Sequence, residues 1–84
     1  MKFKIINVPK KLKGGFIGMN KFAFQSIYHK KYPYSEREIL IYSKLPKKVR
    51  EHTIRHEKIE AYLSKHKHYS YKKAHKEALD LEAD

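Results

Sequence analysis

Ile39-Leu40-Ile41-Tyr42-Ser43-Lys44-Leu45-Pro46-Lys47-Lys48-Val49-Arg50-Glu51-His52-Thr53 spans the point at which the chain changes its period. Glu38 to Tyr42 is a short apolar, β-branched run, bounded upstream by Tyr32-Pro33-Tyr34-Ser35 and downstream by Leu45-Pro46, and it reads as a strand. Proline is favoured in the first turn of a helix, and no Pro or Gly follows Pro46. The spacing therefore predicts a helix over about 46–65. His66-Lys67-His68-Tyr69 reads as a short connection, Ser70 as an N-cap, and a second helix should run over about 71–82.

Upstream of this switch the chain reads as extended. Lys2-Phe3-Lys4-Ile5-Ile6 alternates polar and apolar residues before Pro9 and a Lys-rich loop ending in Gly14-Gly15, the pattern of a strand and a turn. Phe16 to about Tyr28 reads as a second extended stretch, with Phe22, Phe24 and Ser26 on one face and Lys21, Ala23 and Gln25 on the other. Three strands followed by two helices predict an α+β fold: a small three-stranded antiparallel sheet with two antiparallel helices packed on one face. The expected domain is 1–84, with a strand-rich basic half at 1–45 and a two-helix half at 46–84.

Composition narrows the chemistry. At 84 residues the chain is too short for two separate cores, and with 40% hydrophobic residues and eleven aromatics it has material for one. It has no cysteine, which excludes disulfides, thiolate metal sites and thiol nucleophiles, and leaves His, Asp and Glu as the strong metal ligands. No apolar run approaches the roughly 20 residues of a membrane span, and none has signal-peptide length, so the chain reads as cytoplasmic with no membrane partner. The net charge is +11, unevenly placed: residues 1–35 contain eight lysines and no acidic residue. Lysines 10, 11, 13, 21, 30 and 31 are interleaved with Phe16, Phe22, Phe24, Tyr28, Tyr32 and Tyr34, a pattern suited to single-stranded nucleic acid. That gives one functional reading, a small basic nucleic-acid-binding protein, with weak non-specific affinity as the minimum expected of such a charge. The same aromatics could simply be the core face of the sheet.

The helical half suggests another chemistry. At 100° per residue the apolar stripe of the first helix contains Val49, Thr53, Ile59 and Leu63, and His52, His56 and Glu60 fall inside it at i, i+4, i+8, with Glu57 at its edge. In the second helix the stripe is Tyr71, Ala74, Ala78 and Leu79, with His75 in its middle. Glu60 lies on the order of 8 Å before the connection and His75 a similar distance after it, so two antiparallel helices would bring them to one level, with His56 one turn further on. A buried carboxylate must be paired, hydrogen-bonded or bound to a metal. Two readings follow: a divalent cation site of His56, Glu60 and His75, or a metal-free Glu60–His75 polar pair. His52 reads as a core or supporting histidine, and His66 and His68 as surface residues of the connection.

Thr53-Ile54-Arg55-His56-Glu57-Lys58-Ile59-Glu60-Ala61-Tyr62-Leu63 resembles the active-site helix of the zincin metallopeptidases, in particular their very small gluzincin-like members. In those families an edge strand leads through a short turn into a helix bearing His-Glu-x-x-His, and a backing helix adds a third ligand. The resemblance covers roughly residues 39–80, with 39–42 as the edge strand. It departs from the family in one respect, since Glu60 stands at the second ligand position and the backing helix offers His75 where a gluzincin would offer Glu. The resemblance implies a zincin-like fold, Zn²⁺ as cofactor, a ligand set of His56, Glu60 and His75, and Glu57 as general base. A peptide or protein substrate would pair with the strand at 39–42. Tyr62, Tyr69 and Tyr71 are candidates by residue type for oxyanion stabilisation, with packing as the simpler role. A third reading keeps the scaffold without catalysis, as a small interaction module.

Overall fold

A computed structural model describes residues 2–82; Met1, Ala83 and Asp84, which belong to the expected 1–84 domain, lie outside the described residues. The chain runs through β1 (Lys4–Val8), β2 (Gly18–Met19), α1 (Lys21–Tyr28), β3 (Glu38–Tyr42), α2 (Lys47–His66) and α3 (Tyr71–Glu82). This is a compact α+β fold with a radius of gyration of 11.9 Å. Among the described residues no helix is long and apolar enough to cross a membrane.

The sheet is mixed, which corrects the antiparallel expectation. Its order is β1-β3-β2. β1 runs parallel to β3, with Ile5 opposite Ile39 and Asn7 opposite Ile41, and β2 runs antiparallel on the other side, with Gly18 opposite Ile41. Parallel neighbours need a long crossover, and the connection from Val8 to Glu38 supplies one containing α1. β3 is therefore the central strand and not an edge, and its successive residues Ile39, Leu40 and Ile41 are all buried. Because successive side chains point to opposite faces, both faces of β3 are covered.

The second correction is α1, which replaces most of the extended stretch expected from Phe16 to Tyr28. Asn20 is its N-cap, with extended backbone and a side-chain oxygen that accepts from the Ala23 N–H at 2.9 Å. His29 closes it in the left-handed region at φ 54°. Ala23, Phe24, Ile27 and Tyr28 then share a helical face and pack in the cluster of Met19, Tyr32 and Leu40, with Ile6, Val8, Leu12 and Tyr71 around it. Much of the aromatic surface of the basic half is used in this packing. Phe24 sits edge-on to Tyr28 and to Tyr32 at 4.8 and 5.3 Å, and Tyr32 is buried with its hydroxyl donating to the Glu38 carbonyl. Those rings serve as core rather than as open stacking platforms.

α2 and α3 begin within a residue of their expected starts and pack against each other. The inward line of α2 differs from the predicted stripe. Thr53 and Glu60 of that stripe are buried, but with Glu57, Ala61 and Ser64 beside them, whereas Val49 is exposed and Ile59 and Leu63 are only half-buried. An inward face this polar needs partners for its carboxylates. In α3, Ala74 and Ala78 are fully buried, as their periodicity predicts, while Leu79 is exposed.

Candidate metal centre

α2 carries His56 and Glu60 one turn apart on one line, and α3 brings His75 to the same level. His56 Nε2 lies 3.0 Å from Glu60 Oε2, His75 Nδ1 lies 2.8 Å from the same oxygen, and the two nitrogens are 3.2 Å apart. The three side chains named from the sequence thus meet at one point, and together they could hold a metal ion. Glu60 is 1% exposed, whereas His75 is half open to solvent. The rings of His56 and His75 meet nearly at right angles, with centroids 4.9 Å apart.

Protons satisfy this triangle only by crowding two N–H groups onto one oxygen. An imidazole nitrogen has a single in-plane site, either a lone pair or an N–H. Both nitrogens can donate to the two lone pairs of Glu60 Oε2, which sets the two N–H groups side by side with their nitrogens 3.2 Å apart; if one nitrogen instead donates to the other, the acceptor faces the carboxylate oxygen without a proton. A cation serves all three edges at once. Zinc held at about 2.0–2.1 Å in tetrahedral geometry separates its ligand atoms by about 3.3 Å, so each edge would open by about half an ångström or less. Burial pushes the Glu60 carboxyl up, but hydrogen bonds from His56, Asn20 and His75, with the charge of His56, outweigh it and hold the group below the usual carboxylate range. In the absence of a metal, the two histidines and Asn20 thus hold Glu60 as a carboxylate.

Asn20 is the residue that sequence reasoning missed. It is completely buried, and its Nδ2 donates to Glu57 Oε1 at 2.8 Å and to Glu60 Oε1 at 2.9 Å. The amide orientation follows from the network, because a flipped amide would turn an oxygen on two carboxylates and an N–H₂ on the Ala23 N–H. The available signal was an Asn just ahead of Ala23, Phe24, Ile27 and Tyr28, a cap before a helical face. Alternation of Phe22 and Phe24 concealed it.

Glu57, expected at the edge of the stripe, is buried at 6% exposure one amide away from Glu60. It lines a shallow cleft of about 260 Å³ together with Phe16, Gly18, His52, His56 and His75. His52 is exposed at the rim of this cleft and is not a core histidine, because the inward line of α2 runs through Thr53 and Glu57. A wider groove of about 680 Å³ lies along another face of α2, at Lys58, Ile59 and Tyr62, and contains none of the clustered His and Glu side chains. His66 and His68 are exposed in and beside the connection, as expected. Of the three tyrosines, Tyr62 is exposed against the His66 ring and Tyr69 lies under Lys73 Nζ at 4.1 Å. Tyr71 is nearest the centre: its ring is 5.5 Å from that of His75, and burial, with the charges of Glu60 and Glu57, pushes its hydroxyl up to about 12.

β2 reaches the cleft through Gly18, whose backbone φ is ordinary and whose value is its size. A Cβ there would lie 2.5 Å from Thr53 Cγ2 and 3.2 Å from Glu57 Cγ. Thr53 cannot turn away freely, since its hydroxyl donates to the Val49 carbonyl at 2.7 Å. Gly18→Ala is expected to cost about 1–3 kcal/mol, a drop of several degrees in melting temperature, by forcing β2 and α2 apart. A variant melting with the parent would mean that α2 moves aside without loss.

No family model, curated protein or solved structure matches this chain.

Proposed function

We propose that the protein is a zinc-binding, zincin-like hydrolase in which His56, Glu60 and His75 hold the ion and Glu57 is the general base toward a peptide substrate. The observation that carries this reading is a three-donor cluster set against an open cleft with a buried carboxylate in the cleft wall. Three protein ligands are the number that leaves a tetrahedral ion one position for water or substrate. When bound, zinc would supply Lewis acidity, polarising a carbonyl and lowering the pKa of water.

The remaining work falls to the chain's own residues. Glu57 has its Oε1 tied to Asn20, and its Oε2 lies on the Gly18 side, where it would take a proton from attacking water and pass it to the leaving amine. The strand suited to an extended peptide is β2 and not β3, because β3 is paired on both sides whereas β2 ends the sheet beside the cleft. Protein prepared without a histidine tag should retain one zinc per chain by elemental analysis, and should cleave an unstructured peptide with zinc but not with a chelator. Chains that hold no metal and cleave nothing under either condition would reduce the cluster to a structural polar network.

A further inference from the structure

We propose that Asn20 is a positioning residue that restricts Glu60 to coordinating a metal through one oxygen, Oε2, while fixing Glu57 beside it. This inference rests on reading His56, Glu60 and His75 as a metal centre. A carboxylate that binds an ion through both oxygens must turn both toward it. Here Glu60 Oε2 faces the two histidines and Oε1 is engaged by the Asn20 amide, with Asn20 and Glu60 both buried from solvent. The amide cannot follow a turning carboxylate. Its oxygen is fixed to the Ala23 N–H at the start of α1, and its second donor hydrogen is committed to Glu57.

An amide also suits this position electrostatically. Lysine or arginine would satisfy the same two carboxylates but neutralise part of the charge that attracts a cation, whereas Asn donates two hydrogen bonds and leaves both negative charges in place. One-oxygen coordination keeps the protein donor count at three, and a fourth protein oxygen would occupy the position that an open site reserves. Asn20 thereby links the start of α1, in the basic half, to the coordination number of an ion held by α2 and α3.

Cobalt(II) is the probe, because its visible bands weaken as coordination rises above four. Asn20→Ser retains an N-capping oxygen but is too short to serve either carboxylate. With parent-like helical circular dichroism, it is expected to bind cobalt roughly 10–100-fold more weakly and with weaker visible bands, as Glu60 Oε1 joins the ion. A role confined to capping α1, which serine preserves, would leave the melting temperature, the affinity and the bands as in the parent. Parent-like affinity and bands in Asn20→Ser would overturn this inference alone; a parent that takes up no cobalt would overturn it together with the metal centre. If the variant does not fold, the parent decides by infrared spectroscopy. On zinc addition the gap between the two carboxylate stretches should widen, as for one-oxygen coordination, and a narrowing would overturn the assignment.

Discussion

Zinc added to the metal-free protein at about 100 times its dissociation constant is expected to raise the melting temperature by roughly 10–20 °C. An ion that binds only the folded chain at that excess adds about 2.7 kcal/mol, and a domain of this size shifts by about 4–8 °C per kcal/mol. The informative comparison is His75→Ala. His75 is the donor from α3 and is half open to solvent, so its removal leaves no large cavity, whereas truncating buried Glu60 would also strand the Asn20 amide. His75→Ala should melt within a few degrees (about 3 °C) of the metal-free parent and lose the zinc response. Equal zinc shifts in parent and variant would place the ion elsewhere. No shift in the parent, with or without chelator, would mean that the triangle is occupied by protons.

Glu57→Gln should lower peptide cleavage by roughly 10²–10⁴-fold while leaving the zinc shift intact. The substitution is close to isosteric, and the glutamine oxygen can still accept from Asn20 Nδ2, so the wall of the cleft keeps its shape. What disappears is the basic oxygen on the Gly18 side. A variant as active as the parent would end the enzymatic reading. Loss of zinc from Glu57→Gln would instead make Glu57 a ligand, and the roles of the two carboxylates would have to be exchanged.

The convergence of His56, Glu60 and His75 was readable from the sequence because it depends on helical rise and spacing alone. Both helices are uninterrupted by Pro or Gly and their connection is short, so depth measured from the turn placed Glu60 and His75 at one level. What depends on partners distant in the chain was not readable. Glu57 lies at the edge of a helical-wheel stripe but is buried, and the amide that makes this burial tolerable comes from Asn20, 37 residues earlier. Strand order was hidden for a related reason. The composition of Glu38–Tyr42 identifies a strand, but whether it is central or at an edge depends on the crossover through α1. The first turn of α1 was obscured because Phe22 and Phe24 alternate with Lys21, Ala23 and Gln25 over just the length at which a strand and an amphipathic helix look alike.

The short passage from β2 into the cap of α1 has a consequence for mutational tolerance. Gly18 and Asn20 contribute no donor atom to the cluster, yet one leaves no space for a methyl group against α2 and the other has both amide hydrogens committed to carboxylates. In a saturation scan that reads folding, Gly18 and Asn20 should score as intolerant, while half-exposed His75, a candidate donor, should be permissive. Substitution sensitivity read by folding would therefore map the mould around the candidate site, and contacts to an ion would emerge only when the selection is made dependent on metal.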